Sequence, residues 1–139
     1  MQLLEVLKTE PSINTDSAEW QRVLRQMHVQ MTVDVDSFDY YKCYPCRFTL
    51  KANRNAVKIS ERPGYFISAK QGIIVVCPST TDLPVTLYID KKLIRVVTSE
   101  SKLLKSELNV KTNDDTYAFR SNKKGIADIE KEVNKIRLI

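Results

Sequence analysis

The hydrophobic positions of this chain change period twice. Trp20, Val23, Leu24 and Met27 fall at i, i+3, i+4 and i+7, which predicts a helix over residues 17–27 with one apolar stripe. Asp16, with Glu19 three residues on, reads as its start. Leu3, Leu4, Val6 and Leu7 predict a short helix before it, ended by Pro11. From His28 the period drops to two. Val29, Met31, Val33 and Val35 alternate with Gln30, Thr32, Asp34 and Asp36, as in a half-buried strand.

The same alternation continues down the chain. Phe48, Leu50 and Ala52 alternate with Arg47, Thr49 and Lys51, and Val57 and Ile59 with Lys58 and Ser60. Pro63-Gly64 signals a turn before a strand over 65–69. The unbroken apolar run 73–77 reads as a strand buried on both faces. Residues 78–84 form a loop; 85–89 and 93–98, flanking Asp90-Lys91-Lys92, read as a hairpin. The polar stretch 99–106 reads as a loop or one helical turn. Strands at 108–111 and 116–120, joined at Asn113-Asp114-Asp115, lead into a last helix. There Ile126, Ile129, Val133 and Ile136 recur at helical spacing. The expected fold is α+β and mostly β. An antiparallel, partly open barrel or two packed sheets is capped by the C-terminal helix and preceded by an N-terminal helix. One domain is expected: a helical segment 1–28, a β-rich body 29–120 and a terminal helix 121–139.

Charge adds an asymmetry. Residues 1–40 carry three Lys/Arg against seven Asp/Glu, whereas residues 41–139 carry nineteen against ten. Seven basic residues lie within 41–70, against Glu61 alone. A basic surface is the expectation, with Lys42, Arg47, Lys51, Arg54, Lys58 and Arg62 as candidate binding residues. The aromatic-basic mix of Phe38, Tyr40, Tyr41 and Tyr44 with Arg47 and Lys51 is also the composition of a single-strand nucleic-acid platform. No run reaches the ~20 apolar residues of a spanning helix. Residues 1–13 lack a basic leader, so a cytoplasmic location in the producing or host cell is expected.

Candidate chemistry is sparse. The three glycines, 64, 72 and 125, are too scattered for a phosphate-cradling loop. Cys43-x-x-Cys46 lacks the βαβ context of a redox pair. Zinc would need Cys43, Cys46, Cys77 and His28 to converge. The expectation is three reduced, mostly buried thiols, with no metal and no cofactor. His28, the one histidine, has no nucleophile motif beside it. Asp34 and Asp36, on one face of the predicted strand, with Asp39 near, form a possible cation trio or a plain polar face.

Tyr117, Phe119, Ile126, Ile129, Val133 and Ile136 carry one resemblance. A strand-rich body closed by a strand and one amphipathic helix resembles the pleckstrin-homology-like superfold, in its bacterial PH and GRAM-type forms. The resemblance spans about residues 43–139 and implies two near-orthogonal antiparallel sheets plugged by the helix. It also implies a basic ligand site around the loop between the first two strands, where Lys51, Arg54, Lys58 and Arg62 fall. The usual lysine, then basic-x-arginine spacing is not reproduced, since Lys58 and Arg62 are four apart. The expected function is therefore a non-enzymatic module that binds a protein partner through a sheet edge or the basic region 42–70. Its rivals are a nucleic-acid-binding β-barrel and a small metal- or thiol-dependent enzyme built on Cys43, Cys46 and Cys77.

Overall fold

The computed structural model describes residues 1–54 and 58–139. The expected strand at Val57 therefore lies outside the described residues, while Ile59 opens a strand. Two helices, α1 (Leu3–Lys8) and α2 (Ala18–Gln30), lead into β1 (Tyr40–Asn53), β2 (Ile59–Ala69), β3 (Gly72–Cys77) and β4 (Val85–Asp90). β5 (Val96–Ser101), β6 (Ser106–Lys111) and β7 (Asp115–Ser121) follow, and α3 (Lys123–Arg137) ends the chain. All seven strands join one antiparallel sheet in the order β4-β3-β2-β1-β7-β6-β5. The fold is α+β and mostly β, as expected. The sheet does not close into a barrel: β4 and β5 are its two edges.

β1 organises the sheet. Its residues from Tyr40 to Leu50 pair with β2, and those from Arg47 to Asn53 pair with β7. β1 therefore belongs to both halves. Pro45 lies where β1 has β2 on one side only, and Pro63 lies in β2 beyond the reach of β3, whose pairing starts at Tyr65. A missing N–H costs nothing at such positions. Pro63-Gly64 is thus no turn but the middle of β2. Gly64 is needed there for a different reason: a Cβ on it would stand 2.6 Å from Cys77 Sγ.

Two cores lie on opposite faces of the sheet. On the inner face, α3 contributes Ile126, Ile129, Val133 and Ile136. They pack with Phe48, Phe66, Ile73, Val75, Leu108, Val110 and Phe119. These residues come from both halves, so the sheet wraps around the helix. Asn122 caps α3, its Oδ1 accepting the Gly125 N–H at 2.7 Å. On the outer face, Leu3, Val6 and Leu7 of α1 and Trp20, Val23 and Met27 of α2 cover Cys43, Ile67, Ile74 and Val76. Trp20 anchors this core against Tyr65, with ring centroids 5.4 Å apart. β3 is buried along its whole length because both cores press on it.

Four further expectations are corrected. The alternation over 29–35 is not a strand. α2 runs on to Gln30, with Met31 N–H donating to Met27 O, and Val29 is exposed. Asp34 then caps a 3-10 turn over Val35–Ser37, so the β-rich body starts at Tyr40. The start of α2 is capped by Ser17, whose Oγ accepts the Trp20 N–H, and not by Asp16. The 85–89 and 93–98 segments form no hairpin. Asp90 caps a 3-10 turn over Lys91–Leu93, and the chain crosses the inner face at buried Ile94 to the far edge. There β5 pairs with β6, so the stretch 99–106 is a hairpin, not a loop or helical turn.

Candidate interaction surface

The outer face of the sheet changes character at β1. Beyond it, alternation turns Arg47, Thr49 and Lys51 of β1 outward. Ala118 and Arg120 of β7, Glu107 and Asn109 of β6, and Thr98 and Glu100 of β5 share that face by register. Arg47 stands directly opposite Arg120, a repulsive pair on its own. Glu61 of β2 resolves it. Its carboxylate accepts from Arg47 Nε at 3.1 Å and from Arg120 Nη1 at 2.9 Å. Glu107 extends the network: Lys51 Nζ and Asn109 Nδ2 donate to its Oε2, and Arg120 Nε lies 3.9 Å from its Oε1.

Burial alone would raise the carboxyl of Glu61; the hydrogen bonds from Arg120 and Arg47 outweigh it and hold the group below its ordinary range. For Glu107, burial again pushes up, and Lys51 and then Asn109 pull the value below the ordinary one. The long side chains also form a roof. Glu107 and Asn109 are each 5% exposed and Ala118 is 1% exposed. Aliphatic stems of Arg and Lys cover this strand row while their charged ends meet solvent. Among the described residues, Asn109 Oδ1 is buried without a hydrogen-bond partner.

The candidate basic residues are thereby dispersed. Arg47 and Lys51 belong to the network, and Arg54 faces Asp114 at 3.6 Å. Arg62 lies opposite Phe48 in the register, hence on the inner face, and is half-buried. Lys42 and Lys58 are exposed. The sequence placed all six in one region; the pleat, the bulges of β1 and the partner carboxylates divide them.

The two sheet edges also differ. Five of the six residues of β5 are exposed. β4 is covered from α2, where Gln26 Nε2 donates to Pro84 O at 2.6 Å and lies 3.3 Å from Thr86 Oγ1. Nothing in the alternation of residues 96–101 distinguished this open edge. Edge status depends on strand order, which the misread hairpin concealed.

The three thiols do not form a reactive group. Cys43 faces the outer core and Cys46 the inner one, since positions three apart on a strand take opposite faces. Burial pushes Cys43 and Cys77 up to about 12 and Cys46 higher still, so the neutral thiol is the favoured form at neutral pH. His28 is structural: Nδ1 lies 2.7 Å from Leu24 O and Nε2 2.9 Å from Asp36 Oδ2. Asp34 caps its turn and Asp39 meets the N-terminal amine at 2.9 Å, so the aspartates are not arrayed on a strand face. Among the described residues, no cluster of His, Cys, Asp or Glu has metal-holding geometry, and no helix is long and apolar enough to cross a membrane. No protein-family model matches this chain, and no match to it is found among curated proteins.

Proposed function

We propose that this chain is a non-enzymatic interaction module of pleckstrin-homology-like type that binds a protein partner through the open edge of β5. The exposed β5 edge is the observation that carries this reading. An uncovered edge strand presents unpaired N–H and C=O groups, a template for an added strand. Natural edges are blunted by lysine, proline or a covering element, and β5 has only Glu100. The strand order around β1 and the helix seated in the sheet support the fold assignment. The internal pairing of Arg47, Lys51 and Arg54 supports a protein partner over a nucleic acid, because cations already matched by carboxylates have less to gain from phosphates. Three free cysteines, two of them buried and Cys46 partly so, suit a reducing compartment, the cytoplasm.

The test is photo-crosslinking in native extract. A photoreactive residue replaces Thr98 on β5, and a control replaces Thr86 on β4. The reading predicts a protein adduct from position 98 that survives nuclease treatment and is absent from position 86. An adduct lost on nuclease treatment moves the chain to the nucleic-acid class. Equal adducts from both edges remove the special role of β5.

A further inference from the structure

The hairpin between β5 and β6 ends in Lys102-Leu103-Leu104-Lys105, closed by Lys102 N–H donating to Lys105 O at 2.9 Å. Leu103 is 99% exposed and Leu104 86% exposed. Single exposed leucines are ordinary on protein surfaces. An adjacent pair at the apex of a turn is different. Short hairpin connections favour Asn and Gly for their backbone freedom, and leucine adds nothing to such a turn. Nor do these leucines belong to either core.

The charges around the apex are asymmetric. Lys102 and Lys105 flank the leucines and are exposed. Ser106 pairs with Ser121, and α3 starts two residues after Ser121, so Lys123 and Lys124 stand at the same end of the sheet. Lys124 is partnered by Asp128 at 2.9 Å. Lys102, Lys105 and Lys123 outnumber the carboxylates of the two adjoining strands, Glu100 and Glu107, and Glu107 already accepts from Lys51.

We propose that this tip is a membrane-docking element that inserts Leu103 and Leu104 into the interface of a bilayer carrying anionic lipid. The geometry favours a flat, soft surface over a protein groove. The apex is convex, its two apolar groups point off the end of a hairpin, and cations flank them on both sides. Leucine side chains enter the boundary between headgroups and acyl chains, while lysine stems reach back to the anionic headgroups. Juxtaposed lysines gain from the negative surface potential, and the apolar pair supplies the part that salt does not screen. This goes beyond the protein-partner reading and rests on different residues.

The test is co-sedimentation of the full chain with vesicles of phosphatidylcholine alone or mixed with phosphatidylserine. The wild type is expected to partition onto the mixed vesicles only. Leu103→Asp with Leu104→Asp is expected to weaken that partition about tenfold or more, and Lys102→Glu with Lys105→Glu by a similar factor. Leu103→Trp should show a blue-shifted emission with mixed vesicles that Trp20 of the wild type does not show. All these positions are exposed, and an unchanged melting temperature confirms that each variant is folded. Absence of wild-type partition overturns the proposal. So does a leucine double variant that partitions normally, which leaves surface charge alone. A tip-dependent protein adduct in vesicle-free extract assigns the tip to a protein groove and also overturns it. The β5 edge experiment is independent, since its probe position lies outside the tip.

Discussion

The two halves of the sheet meet at β1 and are built on different principles. The β2–β4 half is a buried wall, with α3 on one face and α1 with α2 on the other, so every residue of β3 is inside. The β5–β7 half shares α3 on its inner face, but its outer face carries a network of charged side chains, Glu107 and Arg120 joined to Lys51 of β1 and Glu61 of β2. The first half is specified by apolar packing. The second is specified by alternation plus a chain of ion pairs, and it leaves one edge and one hairpin tip uncommitted. The lesson is that burial on both faces uses up a sheet, whereas burial on one face leaves surface for recognition.

Truncation separates the halves most strongly. Ile74→Ala in β3, facing α1 and α2, is expected to cost about 2–5 kcal/mol in denaturant unfolding, a transfer loss plus a cavity. Thr98→Ala on β5 is expected to fall within about 0.5 kcal/mol of the wild type. Equal costs would mean that β5 is buried against something and would break the contrast.

The halves were unequally legible for the same reason. The run 73–77 announced a strand covered twice, and the α3 stripe of Ile126, Ile129, Val133 and Ile136 announced the inner core. What stayed hidden was pairing between distant segments. Val29 to Val35 alternates because helix exposure and a capped turn happen to mimic period two. Pro63-Gly64 carries turn residues, yet it is tolerated in β2 because the neighbouring strand ends there. The six candidate cations read as one patch because sequence shows spacing but not the acids that fold beside them: Glu107 and Asp114 are far from Lys51 and Arg54 in the chain. The Leu103-Leu104 pair was visible in the sequence, but its exposure follows only once 99–106 is known to be a hairpin.

A smaller effect sharpens the second half. Lys51→Met removes the closest cation from buried Glu107 and is expected to cost about 1 kcal/mol at neutral pH, modest because Lys51 itself is solvent-exposed. Because Glu107 titrates below its ordinary value of 4.5 in the folded chain, its stabilisation is present above that value. It fades as pH falls through the depressed value. The variant should therefore converge on the wild type in acid, as urea unfolding across pH would report. A gap that persists in acid would mean that the lysine acts by packing and not by charge.

The smallest effect belongs to the first half. The hydrogen bond to the Leu24 carbonyl, and then Asp36, raise His28 above 6.5 despite partial desolvation. A raised value stabilises the fold fully below 6.5 and loses that contribution as pH rises through the folded value. Both partners are about half-exposed, so the change is on the order of 0.5 kcal/mol. His28→Gln should flatten this part of the stability–pH curve. An unchanged curve would show that the pair does not tie the end of α2 to the turn after it.

Hydrogen–deuterium exchange of the chain alone tests the division of the sheet most directly, because it reports each strand separately. The amides of β3 are predicted to exchange only through global unfolding, with those of β2 close behind. Those of β5 that face away from β6 are predicted to exchange orders of magnitude faster, at a rate independent of protein concentration. Protection of β5 equal to that of β3 would contradict the account, since it would mean that the β5 edge is already covered.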